Sequence, residues 1–243
     1  MRRWVLFLDD GGVMNDNARR GERWRHLVGA YFVPRLGGSA AAWAAANGAW
    51  TDELFEPRNW SARLAASATY EHFDYHYQLD WLTGMCRRVG IPLPAAPESY
   101  VLARAAVAYI TRRVRAAFPG TIEAIRQVRH DGYTLYTASG EPSWELEGYL
   151  GGMGVRDCFT RLYGPDLIDV FKVGSAYYAR IFADAGVEPA RALVVDDNAQ
   201  AVEWARTVGA CAIQVVSSPA ATADQVCTIA SIAQLPALLS ALE

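Results

Sequence analysis

Four predominantly apolar runs set the frame of the chain: Trp4 to Leu8, Tyr133 to Ala138, Ala192 to Val195 and Cys211 to Val216, with a weaker one near Phe159–Tyr163. Runs that stay apolar rather than alternating with polar residues suit strands covered on both faces, as in a parallel sheet. Between them lie segments with helical periodicity: Ile122 to His130, Ser143 to Gly152, Gly174 to Ala185 and Ala199 to Val208. A glycine after several of these fits a helix C-cap that hands over to a strand. Strand and helix in alternation predict an α/β fold, a Rossmann-like parallel sheet with helices on both faces. In such sheets ligands lie outside the carboxyl ends of the strands, so chemistry is expected just after each apolar run.

Residues 17–116 break this pattern. They show no clear strand, are rich in Ala and Arg, and hold five of the eight tryptophans (Trp24, Trp43, Trp50, Trp60, Trp81). Helices are predicted throughout, and Pro119-Gly120 restores the alternating pattern. The expected organisation is a catalytic core of residues 1–16 and 117–243 and an inserted α-helical cap domain of residues 17–116. Within the insertion, Arg19, Arg20, Arg23 and Arg25 and the aromatic stretch Tyr70 to Tyr77 are candidate substrate contacts. Each is more simply a solvated helix face or a packed seam. The Ala/Gly/Trp-biased residues 37–50 predict a helix packing face of small residues.

The strand ends carry four polar constellations. After the first run comes Asp9-Asp10-Gly11-Gly12-Val13-Met14-Asn15-Asp16. A carboxylate at a buried strand tip followed by glycines is rigidly held where backbone can approach a ligand. After the second comes Ser139-Gly140, a hydroxyl able to donate to an anion. Lys172 precedes a helix and offers a point charge for a phosphoryl group or a carboxylate. After the Ala192 to Val195 run stand Asp196-Asp197-Asn198. Two adjacent carboxylates there are costly unless paired or metal-bound, and hard oxygen donors suit Mg²⁺. Asp197 or Asn198 also suits a helix N-cap. Each constellation alone fits an ordinary turn; their order and shared position at strand ends give them weight.

Composition sharpens one of these signals. Of 23 basic residues 22 are Arg, and the single lysine is Lys172. The length of 243 residues suffices for a core plus an insertion. A net charge of −3 gives no bulk attraction for nucleic acid or an anionic membrane, which points instead to a small-molecule substrate. Cys86, Cys158, Cys211 and Cys227 form no CxxC pair and fit reduced thiols of a cytoplasmic protein. Met1-Arg2-Arg3 and the short apolar run behind it fall short of a signal peptide, and no run approaches the ~18 apolar residues of a membrane helix.

Taken together, these residues resemble the haloacid dehalogenase superfamily of phosphatases and related hydrolases. Its first motif is an apolar strand followed by Asp-x-Asp-Gly-Thr/Val-Leu-x-Asp, matched here by Val5 to Leu8 and then Asp9, Gly12, Val13 and Asp16. The resemblance implies Asp9 as nucleophile, Ser139 as the second motif's hydroxyl (with Thr137 as backup), Lys172 as the third motif's lysine, and Asp196 and Asp197 as the fourth motif's acidic pair. It implies a substrate-binding role for Ser139, Gly140 and Lys172, and Mg²⁺ held by Asp9, the Gly11 carbonyl, Asp196 and Asp197. The cap matches only in position and helical character.

One departure bears on mechanism: the family's phosphatases carry a second aspartate, the general acid and base, where this chain has Gly11. The expected activity is hydrolysis of a small, anionic phosphorylated substrate through an aspartyl-phosphate, with the missing group unneeded or supplied by Asp10, Glu71, His72 or His76. The alternative is hydrolysis of a 2-haloacid, whose halide leaves without a proton. A non-enzymatic binding or regulatory homologue is the third expectation. Phosphonate hydrolysis through a cap lysine imine is excluded, because residues 17–116 contain no lysine.

Overall fold

The computed structural model describes residues 4–216 and 227–242. The reading of Met1-Arg2-Arg3 lies outside the described residues. The chain divides into two compact units, one of Met1–Asn17 and Ala116–Glu243, the other of Ala18–Arg115.

In the first unit, the described residues form six parallel strands: β1 (Val5–Leu8), β2 (Thr134–Ala138), β3 (Arg161–Tyr163), β4 (Ala192–Asp196), β5 (Cys211–Val215) and β6 (Cys227–Ile229). Their spatial order is β3-β2-β1-β4-β5-β6. The five apolar runs of the sequence become five of these strands. β6 was not anticipated: it is three residues long, and two of them are exposed, so it carries no apolar run.

The pleat sends alternate residues to opposite faces. Leu6, Leu8, Leu135, Leu193 and Val195 meet Ile125 and Val128, Leu146 and Leu150, and Leu235 and Leu239 on one side. These apolar pairs belong to α6 (Thr121–His130), α7 (Ser143–Met153) and α11 (Leu235–Leu242). Phe7, Ala138, Val194 and Ala212 meet Tyr177, Tyr178, Ile181, Phe182, Ala201 and Val202 on the other, from α9 (Ser175–Ala185) and α10 (Ala199–Thr207). A single turn, α8 (Pro165–Ile168), follows β3. This is the expected α/β sandwich of three layers.

The second unit is helical: α1 (Asn17–Leu36), α2 (Ala40–Leu54), α3 (Pro57–Ala65), α4 (Tyr70–Val89) and α5 (Glu98–Thr111). Ser39 and Thr69 cap α2 and α4 by accepting from Ala42 N and His72 N. The buried residues of α2 recur as Trp43, Ala46, Asn47, Trp50 and Leu54, one helix face. Small residues let it seat closely: a Cβ on Gly84 of α4 would lie 2.6 Å from Trp50 Cδ1. Trp43 stacks on Phe32, and Trp81 donates to Asn47 Oδ1 at 2.9 Å. The stretch Tyr70 to Tyr77 is such a seam on one side only: Tyr70, Phe73 and Asp74 are buried, Asp74 paired to Arg104 at 2.9 Å, while Glu71, His72, Tyr75 and His76 are exposed. No helix among the described residues is long and apolar enough to cross a membrane.

The chain leaves and re-enters the sheet unit on adjacent tracks. Asp16 N donates to Ala116 O at 2.8 Å and Phe118 N to Met14 O at 3.1 Å. A long helical insertion behind the first strand end is therefore accommodated without disturbing the strand that carries Asp9.

Candidate active site

The strand order reverses beside β1, whose neighbours are β2 on one side and β4 on the other. Such a switch point opens a crevice at the carboxyl ends of the strands. The register dictates what meets there. Leu8 pairs with Thr137 and with Val195, so the next residues, Asp9, Ala138 and Asp196, converge. Asp9 N donates to Val195 O at 3.0 Å, which extends the ladder one step and fixes the backbone of Asp9.

Alternation then separates the two aspartates after β1. Asp9 continues the side of Phe7, facing α9. Asp10 continues the side of Leu6 and Leu8; it is fully buried and accepts from Asn15 Nδ2 at 2.7 Å, the same amide that reaches Met153 Sδ. Asp10 therefore secures the turn and does not share the Asp9 face. Thr137, the backup for the second motif, is also turned away, donating to Tyr163 O at 3.1 Å.

Lys172 joins the strand ends. Its Nζ lies 2.9 Å from Asp9 Oδ1, 2.8 Å from Asp196 Oδ2 and 2.8 Å from Ala138 O, and its side chain is 10% exposed. A tetrahedral ammonium with three donors is matched to three acceptors. Asp196 is satisfied on both oxygens: Tyr178 Oη donates to Oδ2 at 3.0 Å and Asn198 N to Oδ1 at 3.0 Å. Tyr177 Oη donates to Ser139 O at 2.8 Å. The helix after Lys172 thus contributes two buried hydroxyls that clamp two strand ends. The signal of these tyrosines in the sequence is a pair of polar tips on an otherwise apolar helix face.

Asp197 behaves differently from its neighbour. It is exposed, and one oxygen from each of Asp9, Asp196 and Asp197 lies within 4.8 Å of the others. Gly12 makes this possible: its φ is 82°, and a Cβ there would lie 2.0 Å from Asp197 Oδ2. The carboxylate occupies the space a side chain would fill. Asn198 caps α10 by accepting from Gln200 N.

Burial pushes the Asp9 carboxyl up to about 8 against the pull of Lys172, with the charges of Asp196 and Glu141 adding to the rise. Burial also raises Asp197, with Asp196 adding. Lys172 resists the burial that alone would lower it, and its proton is held well above the usual amine range by Asp9, Tyr178 and Asp196. Three carboxyl groups face one ammonium, so ionising all three, Asp9 included, would leave surplus negative charge that a cation with hard-oxygen preference would relieve.

Ser139 is fully buried, and its hydroxyl donates to Glu141 Oε2 at 2.5 Å. Gly140 is exposed and has open space around its Cα. Glu141 was not anticipated as part of the site. In the second unit, His72 and His76 are exposed on α4 with ring centroids 4.5 Å apart. Arg19, Arg23 and Arg25 are also exposed, and Arg20 is partly buried.

A family model described as haloacid dehalogenase-like hydrolase matches residues 24–209. No curated protein matches the chain. Solved structures match in fold. L-2-haloacid dehalogenase from Xanthobacter autotrophicus is 16% identical with a TM-score of 0.66, covering 100% of both chains. The 2-haloacid dehalogenase from Pseudomonas syringae pv. Tomato DC3000 is 18% identical with a TM-score of 0.64, again over 100% of both. A HAD phosphatase from Thermococcus onnurineus is 19% identical with a TM-score of 0.57, covering 97% of each chain.

Proposed function

The chain belongs to the haloacid dehalogenase-like hydrolases, and from that premise we propose that it hydrolyses a small phosphorylated substrate, with Asp9 as nucleophile and Mg²⁺ as its cation. The observation that carries this reading is the acidic cluster of Asp9, Asp196 and Asp197, with oxygens within 4.8 Å of one another. Lys172 offsets one of the three charges. Carboxylates held this close at a part-buried site are costly unless something neutralises them. Carbon–halogen hydrolysis at Asp9 would gain from Asp196, which anchors Lys172, but not from the further carboxylate of Asp197.

The residues present fit Mg²⁺, which keeps several waters and needs only one or two carboxylates. Asp9, Asp197 and the Gly11 carbonyl would hold it, with Asp196 completing the acidic set while it anchors Lys172. When bound, the ion neutralises charge between nucleophile and phosphoryl oxygen. The protein's own residues do the rest. Lys172 holds Asp9 Oδ1, which leaves Oδ2 as the attacking oxygen, and its ammonium offsets charge on the transferring group. The Ser139 hydroxyl donates to a phosphoryl oxygen. Asp9 attacks phosphorus to give an aspartyl-phosphate, which water then hydrolyses.

A second reading draws on Gly11. With no carboxylate there, a halide, which leaves without a proton, is a natural leaving group, and hydrolysis of a 2-haloacid would follow from the same nucleophile. A panel of phosphomonoesters, acyl phosphates and 2-haloacids, each with Mg²⁺ and with excess chelator, separates the readings. Mg²⁺-dependent phosphate release that disappears in Asp9→Asn is expected. Halide release undiminished by chelator, without phosphate release from any ester, would overturn the phosphatase reading. A single turnover that leaves an acyl-phosphate on Asp9 would exclude a purely binding or regulatory role.

A further inference from the structure

Position 11 offers no side chain, yet a carboxylate does stand beside the reacting groups. Glu141 lies two residues past Ser139. Its Oε2 accepts the Ser139 hydroxyl at 2.5 Å, and its backbone N–H donates to Ser139 Oγ at 3.3 Å. This small ring sits one residue from Ala138, whose carbonyl accepts from Lys172. The chain of contacts from Asp9 through Lys172 and the end of β2 to Glu141 is therefore short.

The loop holding Glu141 is fixed on its far side. A Cβ on Gly164 would lie 2.2 Å from Glu141 O and 2.8 Å from Pro142 Cα, so glycine there lets the loop pack directly on backbone. Ser143 N donates to Asp166 Oδ1 at 2.7 Å, and the Ser143 hydroxyl donates to Asp166 Oδ2. On the near side, Ser139 N donates to Tyr163 O at 3.1 Å, and Ser139 O accepts from Tyr177. Such placement is what a proton-transfer group needs, since geometry comes before pKa.

We propose that Glu141 is the acid–base residue of this site, working from the second strand end in place of a carboxylate at position 11. The inference rests on the phosphatase reading. Its physical basis is a conflict over one proton. The Ser139 hydroxyl has a single hydrogen, now given to Glu141. A phosphoryl group that takes that hydrogen sets its own negative charge against the Glu141 carboxylate. Two anions sharing one small site favour protonation of one of them. A proton on Glu141 then lies beside the phosphoryl group, where the departing oxygen requires it.

The two steps balance. In the first, Asp9 bonds to phosphorus, the ester P–O bond breaks with its electron pair on the leaving oxygen, and that oxygen takes the Glu141 proton. In the second, the Glu141 carboxylate takes a proton from water. The water oxygen bonds to phosphorus as the bond to Asp9 breaks, giving inorganic phosphate, the Asp9 carboxylate and protonated Glu141.

Wild type, Glu141→Gln and Glu141→Asp should be compared with Mg²⁺ on an alkyl phosphate and on dinitrophenyl phosphate, whose leaving group needs no proton. Glu141→Gln is expected to lose about 10²–10³-fold in kcat on the alkyl ester. On dinitrophenyl phosphate it should keep a burst of dinitrophenolate within about threefold of the wild-type rate, then stall with phosphate on Asp9. Glu141→Asp, which keeps the acid, should recover roughly tenfold or more of the alkyl turnover. Equal losses of Glu141→Gln on alkyl turnover and dinitrophenyl burst would reduce Glu141 to a positioning residue for Ser139 and overturn the proposal. So would a Glu141→Gln enzyme that is unimpaired, or Glu141→Asp no better than Glu141→Gln. A wild type that releases halide but no phosphate ends the phosphatase reading and this one with it, a result visible before any variant is made.

Discussion

A methyl group on Gly12 tests the acidic cluster directly. Gly12→Ala introduces two separable costs. The first is backbone: φ is 82°, and an L-residue in the left-handed region costs about 1–2 kcal/mol. The second is steric: the new Cβ would lie 2.0 Å from Asp197 Oδ2 and 2.4 Å from Asp197 Cγ. Because Asp197 is an exposed side chain, it escapes by rotating away, at an off-rotamer cost on the order of 1 kcal/mol. The total of about 2–3 kcal/mol corresponds to a fall in Tm of roughly 4–12 °C for a chain of this size. The protein should remain folded.

The functional effect should be larger than the loss of stability, because the rotation carries Asp197 out of reach of Asp9 and Asp196. A cation with a phosphate analogue at about 100 times its Kd would stabilise the wild type by roughly 2.7 kcal/mol. Thermal unfolding with Mg²⁺ and a metallofluoride should show that gain in wild type and lose it in both Gly12→Ala and Asp197→Ala. In an Asp197→Ala background the added Gly12→Ala should cost only the backbone share, since the clash has gone; this non-additivity marks a direct contact. A Gly12→Ala protein with the wild-type Mg²⁺ response would refute the reasoning, because Asp197 against Gly12 would then have no part in cation binding.

Other perturbations follow from the same geometry. Lys172→Arg keeps the charge but cannot fit a planar fork to three acceptors at 2.8–2.9 Å; turnover should fall at least about 10²-fold, and near-normal turnover would show that the three contacts are unimportant. Gly11→Asp in a Glu141→Gln background should raise nitrophenyl phosphate turnover roughly tenfold or more, since the positive φ of this turn falls on Gly12 (82°); no gain in a folded, metal-binding protein would mean the strand tip cannot host the acid. In excess chelator, pH should separate wild type from Asp9→Asn. Burial raises Asp9 to about 8, so the folded state holds that proton more tightly than the unfolded one, and this stabilising contribution is lost as pH rises through about 8. Asp9→Asn should therefore gain stability relative to wild type between pH 5 and pH 9, by at least about 1 kcal/mol, seen as a Tm difference that grows with pH; a constant difference across that range would contradict the assignment.

Most of what positions the site was legible as pattern. Predominantly apolar runs gave five of the six strands among the described residues, because burial on both faces leaves a signal at most positions; the run was weakest at β3, where Arg161 is exposed. The polar residues after those runs gave Asp9, Ser139 and Asp196-Asp197. Lys172 stood out as the single lysine. What escaped were features whose logic is three-dimensional. β6 leans on β5 with two of its three residues exposed, so pairing rather than apolarity makes it a strand. Glu141 reads as a polar loop residue until the turn folds its carboxyl back onto Ser139. Asp10, a candidate for the missing acid in the sequence, is turned away from Asp9 by strand alternation, and the Asn15 contact holds it there.

The fourth strand end shows how adjacent like charges can take opposite tasks. Asp196 is the last residue of β4 and is 1% exposed. It keeps the strand's inward direction, so its carboxylate meets Lys172, Tyr178 and the Asn198 N–H. Those partners offset the cost of burying it. Asp197 lies past the strand, where the chain turns toward α10, and the absent Cβ of Gly12 gives its carboxylate room. One carboxylate thereby holds the lysine that holds Asp9, and its neighbour remains available for a ligand. A site with only the first would suffice to orient Asp9 for attack on carbon. Retaining the second beside it, raised by burial and by the charge of Asp196, makes sense where a cation must be held against the nucleophile.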